Sequence, residues 1–514
     1  MPNEHKEENG EEFEALRKSR VPRVVSGMNR PYQPKPLGEQ TRALRRQAIM
    51  VIFGNLGVLS TGLSLGLPTI TNGPMKDSSA AVYLNDSEFS WFASVNLFFA
   101  PVGGLLSGLL LDKLGRKRTM YVLNVFGFIS WVLMATASQQ DQYAMFMQLM
   151  VARCIQGIGM GLSSAPVGVY SAEISTPKIR GRLILGTSIS VAAGITVVYI
   201  LGYFIRDDWR LIAMICGAFQ CIALLCVMPM PESPNWLLTK SRLHEARKSL
   251  NYFRGLEKKP VITHPEVLSE FNLLQKNIQL AEGEKKPSFF KSLKLPEVYK
   301  PLLILMGLFT FQQITGIFVV IVYAVQIAME AGVTIDPFMC AIMIGVARVV
   351  TTCPMAYILE KWGRRRSGLI SALGMGVCMT LLALHKNLTS IPYLPVITIV
   401  AFIVLSTLGL YTLPFFMISE VFPQKVRGPA SGLTVAYGTF ISFVVTKTYP
   451  SMKAAIGNEY CFVTYAVLSF VGAVFVYACL PETRGRTLLE IEEEFRSGKK
   501  KPAEPVEMEE IYVK

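Results

Sequence analysis

Histidine is almost absent from this chain. There are four in 514 residues (His5, His244, His264 and His385), and all fall in tails or in loops between apolar stretches. An enzyme would need a convergent His, Cys or carboxylate site, and no metal or nucleophile motif lies within those stretches. Enzyme chemistry, a metal and a cofactor are therefore not expected. Charge is scarce too: Asp, Glu, Lys and Arg make up 17% of the chain, against about 25% in a soluble domain. Nine cysteines are present, but no disulfide framework is. Cys154, Cys216, Cys221, Cys226, Cys340, Cys353, Cys378, Cys461 and Cys479 lie in or at apolar stretches and read as small core residues. The first 46 residues hold no apolar run of the signal-peptide kind, so the first span itself is expected to direct insertion. Period-2 alternation is missing, which excludes barrel strands.

Long apolar runs are what the chain has. A helix that spans hydrocarbon needs roughly 20 apolar residues. About twelve such stretches occur, near 48–70, 89–111, 119–138, 145–168, 183–204, 210–229, 300–324, 337–359, 367–385, 392–417, 430–449 and 460–480. An all-α membrane protein follows, with about twelve spans in two six-helix bundles. The expected divisions are a tail at 1–46, one bundle at 47–229, a linker at 230–299, a second bundle at 300–482 and a tail at 483–514. The linker stretches Leu243–Arg254 and Pro265–Gln279 have helical spacing and mixed charge, and read as short amphipathic helices. The tail starts as a Glu-rich helix and ends in a Lys/Pro/Glu run expected to be disordered.

The net charge is +14. Its placement argues against nucleic acid. Loops at 112–118, 178–182, 360–366 and 425–427 carry most of the loop Lys and Arg, and the alternate loops carry few. This positive-inside bias puts both termini in the cytoplasm of a multi-pass protein, with the plasma membrane as the expected location. Two glycosylation sequons, at Asn85 and Asn387, fall in loops that the same rule places outside.

Three motifs occur twice, about 250 residues apart. Asp112-Lys-Leu-Gly-Arg116-Lys-Arg118 returns as Glu360-Lys-Trp-Gly-Arg364-Arg-Arg366. Glu173 with Arg180-Gly181 returns as Glu420 with Arg427-Gly428, and Pro231-Glu232-Ser233 returns as Pro481-Glu482-Thr483. A duplicated polytopic unit implies two bundles with a site between them. Each motif puts a carboxylate and guanidinium groups at the ends of helices, where charge-assisted bonds form. Plain positive-inside anchoring would need the cations but no Glu repeated at fixed places.

These motifs, with Gln312-Gln-Ile-Thr-Gly316 and Pro231-Glu-Ser-Pro-Asn-Trp-Leu237, carry a family resemblance. The chain resembles the sugar porter family of the major facilitator superfamily over roughly residues 45–495. It is similar to the facilitative glucose transporters and, through Asn235, residues 418–423 and residues 445–450, to the arthropod facilitated trehalose transporters. The resemblance implies a carrier of a sugar or related polyol working by alternating access, with the lipid bilayer as its other partner and a monomer as the working unit. It also implies an inner latch. Glu173 with Arg180, Glu420 with Arg427, and Asp112, Arg116, Glu360 and Arg364, joined by Glu232 and Glu482, would hold the bundles together on the inside when the site opens outward.

Sugar recognition calls for amides, which both donate and accept. Gln312 lies 11 residues past Pro301, about 16 Å along a helix and near mid-membrane. It and Gln313 read either as sugar ligands, as the resemblance implies, or as helix–helix hydrogen bonds. At the other family positions the chain departs: Ser188, Phe318, Arg348, Phe415, Gly438 and Thr439 stand where the family carries amides or tryptophan. Arg348 lies 12 residues before Glu360, roughly 18 Å from that helix end. It reads as a cavity cation for a polyol or an anionic group, or as a cation neutralised by carbonyls and water. Span 1 has no ionisable group across Val58–Ile70, where proton-coupled relatives carry an Asp, so facilitated diffusion is the expected mode. The alternatives are a carrier of an organic anion or sugar acid that uses Arg348, and a sugar sensor on the same scaffold.

Overall fold

The computed structural model describes residues 37–256, 264–283, 292–385, 393–423, 426–486 and 488–497. Most of both polar tails, with the run after residue 497, and the Asn387 sequon lie outside the described residues. Within them every regular element is a helix.

Eight spans are single helices. Span 1 is Leu37–Lys76, span 2 Asp86–Leu114, span 3 Arg116–Ala135, span 5 Pro177–Phe204 and span 6 Trp209–Val227. Span 9 is Arg364–Ala383, span 11 Arg427–Ile456 and span 12 Asn458–Cys479. Four more are broken, which the apolar pattern alone does not show. Span 4 divides into Gln142–Leu162 and Pro166–Ile174, and span 7 into Pro296–Ile314, Ile317–Val322 and Ala324–Glu330. Span 8 divides into Pro337–Thr352 and Met355–Trp362, bent by 56°, and span 10 into Leu394–Thr407 and Leu413–Val421. The causes are local. Pro166, Pro354 and Pro414 stand at the starts of the second pieces of spans 4, 8 and 10, where a missing N–H is tolerated but the helix before cannot continue. In span 7 the chain turns through Gly316 at φ +86°, a conformation that favours glycine.

The even-numbered spans begin at one end of the molecule, called here the far end, and several begin with an Asx cap. Asn85, Asp141, Asp208 and Asp336 each accept from a backbone N–H of the first turn of spans 2, 4, 6 and 8. Within the first half, backbones touch where side chains are missing. A Cβ on Gly62 would come 2.1 Å from Val191 O, and one on Gly161 2.0 Å from Ala100 O. Spans 1 with 5 and 2 with 4 are locked by this close approach, the usual way of packing helices in lipid.

Between the halves lie helices Pro234–Thr239, Leu243–Phe253 and Pro265–Gly283, as expected of an amphipathic linker. They dock on the end opposite the far end, called here the motif end. Arg46 donates to Tyr252 O and Leu256 O, Gln47 to Phe253 O, and Arg254 to Ile174 O. Helix Leu488–Ser497 packs under span 7, where Lys300 Nζ donates to Phe495 O at 2.9 Å.

Contacts joining the halves gather at the far end. Thr69 Oγ1 and Tyr199 OH both donate to Ile321 O at 2.6 Å, Asn72 to Gln326, and Arg206 pairs with Asp336. Trp91 and Phe98 of span 2 pack on Phe443 of span 11 at 5.9 and 5.1 Å. Towards the motif end, Ser188 and Phe415 are exposed. The named contacts between the halves thus close the far end.

Candidate functional site

Two local clusters at the motif end repeat one architecture. Gly115 at φ +93° precedes span 3, and Gly363 at φ +85° precedes span 9. Each makes room for a carboxylate at a helix N-terminus: a Cβ on Gly115 would come 2.5 Å from Glu232 Oε2, and one on Gly363 2.7 Å from Glu482 Oε2. Glu232 accepts from the N–H groups of Arg116 (2.9 Å), Lys117 (3.2 Å) and Ser233 (2.9 Å). Glu482 accepts from those of Arg364 (3.0 Å), Arg365 (3.1 Å) and Arg484 (3.1 Å). This is anion binding at a helix start. Burial pushes the Glu232 carboxyl above its ordinary range, against the pull of these donors and of Arg116.

The guanidinium groups then reach across their own half. Arg116 holds Glu173 through Nε (2.8 Å) and Nη2 (2.5 Å), and Ser233 Oγ donates to the same carboxylate at 2.5 Å. Arg364 holds Glu420 through Nε (3.1 Å) and Nη2 (2.5 Å), with Thr483 Oγ1 donating at 2.5 Å. These are bidentate, charge-assisted pairs. The pairing implied by the resemblance is not the one in this conformation. Arg180 donates to Ser175 O and Arg427 to Phe422 O, while Asp112 and Glu360 are exposed.

Within the second half, the breaks of spans 7 and 10 meet. Gln312 Nε2 donates to Tyr411 O at 2.6 Å, and its Oε1 accepts from Gln313 Nε2 at 2.9 Å. Gln312 is thus satisfied within the protein. Gln313 Oε1 is buried and has no hydrogen-bond partner among the described residues. An aromatic cluster surrounds them: Phe309 with Phe415 at 5.3 Å, Phe415 with Tyr411 at 6.4 Å, and Tyr411 with Phe318 at 6.4 Å. Arg348 is 3% exposed, and its guanidinium carbon stands 4.2 Å from the Tyr411 ring centroid. Among the described residues it has no ion pair.

The remaining candidates separate. Phe415 is 49% exposed and Ser188 is exposed on span 5. Gly438 is buried, and a Cβ there would come 2.4 Å from the Phe309 ring. Thr439 Oγ1 is spent on Val435 O and Ala436 O of its own helix. Asn85 caps span 2 with a capping box. Two residues were missed in the sequence. Tyr411 comes beside Arg348 only because span 10 breaks at Pro414. Arg153 is fully buried in span 4, and donates to Phe92 O, Ser64 O and Gln156 Oε1. A lone Arg inside the apolar stretch 145–168 was the available signal.

Residues 53–495 match the family described as "Sugar (and other) transporter". The chain is 31% identical over 454 residues to a facilitated trehalose transporter of Anopheles gambiae, covering 87% of this chain and 55% of that one. It is 31% identical over 456 residues to one of Culex quinquefasciatus, covering 87% and 85%. The chain thus spans about half the length of the Anopheles relative and most of the Culex one. An inward-open structure of the xylose transporter XylE from E. coli superposes with TM-score 0.72 at 23% identity, covering 86% of this chain and 98% of that one. A partially occluded inward-open structure of the same transporter gives 0.70 at 21% identity, covering 84% and 99%. The fold is the major facilitator fold.

Proposed function

From the premise that this chain belongs to the sugar (and other) transporter family, we propose that it carries a sugar or related polyol across the plasma membrane by alternating access. The observation that carries this reading is Gln313. Its Oε1 is a buried amide acceptor, free of protein donors among the described residues, at the break of span 7. Such an acceptor fits a substrate hydroxyl, and the aromatic faces of Tyr411, Phe318 and Phe415 fit the apolar face of a ring. The trehalose-transporter relatives support a sugar of that class.

The positive-inside bias assigns the motif end to the cytoplasm, with both termini there and Asn85 and Asn387 outside. The working unit is the monomer. The bundles run over 47–229 and 300–482, with a cytoplasmic linker at 230–299. On this orientation the present conformation is inward-open. The inner latch belongs to the opposite state, in which Arg180 and Arg427 are free to cross between halves while the Arg116–Glu173 and Arg364–Glu420 pairs hold each helix end in place. Transport is facilitated diffusion: span 1 offers no titratable group across Val58–Ile70, and the named acceptors of Arg153 are carbonyl and amide oxygens, none of them a carboxylate.

Arg348 favours a second reading. A buried cation without an anionic partner is costly, and a substrate carboxylate would supply that partner. Uptake of labelled trehalose, glucose, inositol and a sugar acid into transport-deficient cells tests both. Saturable uptake of a neutral sugar is expected under the first reading. Uptake of the sugar acid alone selects the second, and uptake of none refutes the carrier.

A further inference from the structure

Arg153 is a fully buried cation in the core of the first half. Among the described residues its guanidinium donates to neutral groups alone: Phe92 O and Ala93 O of span 2, Ser64 O and Ser64 Oγ of span 1, and Gln156 Oε1 of its own helix. Gln156 Oε1 also accepts from Ser64 Oγ at 2.9 Å. A guanidinium has donors only, so the Gln156 amide cannot turn round, and Nε2 is the end left over. On span 6, Gln220 is fixed in the same way. Its Nε2 donates to Asn124 Oδ1 of span 3 at 2.6 Å, and Asn124 Nδ2 donates to Met120 O at 2.7 Å. Here Oε1 is the end left over. Gln156 and Gln220 are 5% and 1% exposed. Neither Gln156 Nε2 nor Gln220 Oε1 has a hydrogen-bond partner among the described residues.

Both glutamines line one cavity. It lies between spans 1, 3, 4 and 6, measures about 20 Å³ and is bordered also by Ser60, Ser64 and Ser130, with no carboxylate in its lining. Glycines give the amides their room. A Cβ on Gly127 would come 2.7 Å from Gln220 Cδ, and one on Gly57 2.9 Å from Asn124 Oδ1. A water needs at least about 10–15 Å³ and two to four polar partners. This cavity offers a donor in Gln156 Nε2 and an acceptor in Gln220 Oε1. A third partner is the Ser60 hydroxyl, which accepts from Trp131 Nε1 at 3.1 Å. A metal cation does not fit, because Gln156 presents a donor and Arg153 stands behind it. A sugar ring is too large for the volume.

We propose that one water molecule is a fixed part of the first half, bound between Gln156 Nε2 and Gln220 Oε1. It completes a chain in which every donor points the same way. Arg153 Nη1 donates to Gln156 Oε1, Gln156 Nε2 to the water, the water to Gln220 Oε1, Gln220 Nε2 to Asn124 Oδ1, and Asn124 Nδ2 to Met120 O. Aligned hydrogen bonds polarise one another. The chain therefore spreads the Arg153 charge from span 4 through span 6 to span 3, and a cation is held in the membrane core without a carboxylate. All four lining spans belong to the first half. The water travels with that half and is present whichever end of the molecule is open, so the site does not depend on the transported substrate.

The first test is a density map of the full-length chain, at a resolution that shows ordered water. A peak should lie about 2.7–3.2 Å from both Gln156 Nε2 and Gln220 Oε1. Three results overturn the site: no peak there, a direct bond between the two amides that closes the cavity, or a peak ringed by oxygen ligands at about 2.3–2.6 Å, which marks a cation. The second test is a thermal melt of Gln156→Met, Gln220→Met and the two combined. The amides hold different protein partners, so without a shared water their melting shifts should add. With it, either variant already breaks the chain. The combined shift should then fall short of the sum, by a coupling of about threefold or more in the unfolding constant. Additive shifts overturn the site as well. The map needs no variant, so a variant that fails to fold leaves the site open to refutation.

Discussion

Arg348 is the residue whose chemistry most sharply divides the substrates. It is buried against Tyr411, and a cation–π contact alone contributes about 0.5–2 kcal/mol, less than burial of an unpaired charge costs near mid-membrane. If it serves an anionic group, Arg348→Gln should cost about 1.5–3 kcal/mol for that substrate, roughly tenfold or more in affinity, and leave neutral sugars unaffected. If the cavity takes neutral sugars, Arg348→Asn should preserve or raise their transport. Competition assays against one labelled substrate read both. Wild-type rates for every substrate in both variants would place the side chain outside the cavity. The two glutamines should separate as well. Gln313→Leu removes an acceptor open to substrate and should raise KM about two- to tenfold, and it lowers melting too, because it takes the donor from buried Gln312 Oε1. Gln312→Leu strands the Tyr411 carbonyl and should lower thermal stability by about 1–3 kcal/mol. Equal effects on KM in the two variants would contradict this division. That Gln312, Gln313 and Arg348 lie within apolar helices was readable by counting residues, although the break between Thr352 and Met355 interrupts the count from Glu360 to Arg348. Their shared partner was not, because Tyr411 comes from another span. Gly438 and Thr439, aligned to family ligand positions, are taken up by packing and by the helix's own carbonyls.

At the level of elements, the duplicated motifs read clearly in sequence because each part has one task. Glycine makes room, a carboxylate caps the helix start, and an arginine ties it to the next helix. The breaks in spans 4, 7, 8 and 10 were hidden because hydropathy is blind to a missing N–H, although Pro166, Pro354 and Pro414 were there to be read. The pairing of Glu173 and Glu420 was also not legible, since the arginines that hold them, Arg116 and Arg364, come from the starts of other spans. That difference sharpens the latch experiment. Among the described residues the Arg427 side chain bonds only to the Phe422 carbonyl, so Arg427→Ala should leave melting nearly unchanged while shifting the resting population inward. Glu420→Ala should do the same and also lose about 1–3 kcal/mol of stability, because Arg364 is left part-buried without its partner. Labelling of single cysteines on the inner and outer rims reports the shift. Unchanged labelling in both variants would make these residues anchors.

For the molecule as a whole, the twelve spans, the repeat and the linker helices followed from apolar length and motif spacing. Which end is closed did not, because two conformations share one sequence. The far end is held by Thr69, Tyr199, Asn72, Arg206 and Lys447, polar contacts that only the assembled halves create. Topology is checked by tagging both termini and adding protease to intact cells: both tags should survive, and loss of either would invert the orientation. The central claim is a passive, alternating-access carrier with a sugar site between its halves. Counterflow in proteoliposomes tests it most directly. Vesicles containing the purified chain are loaded with unlabelled sugar and diluted into trace labelled sugar, with no pH or ion gradient. The account predicts transient accumulation of label above equilibrium, unaffected by a protonophore. Equilibration no faster than in protein-free vesicles, or accumulation that requires a proton gradient, would contradict it.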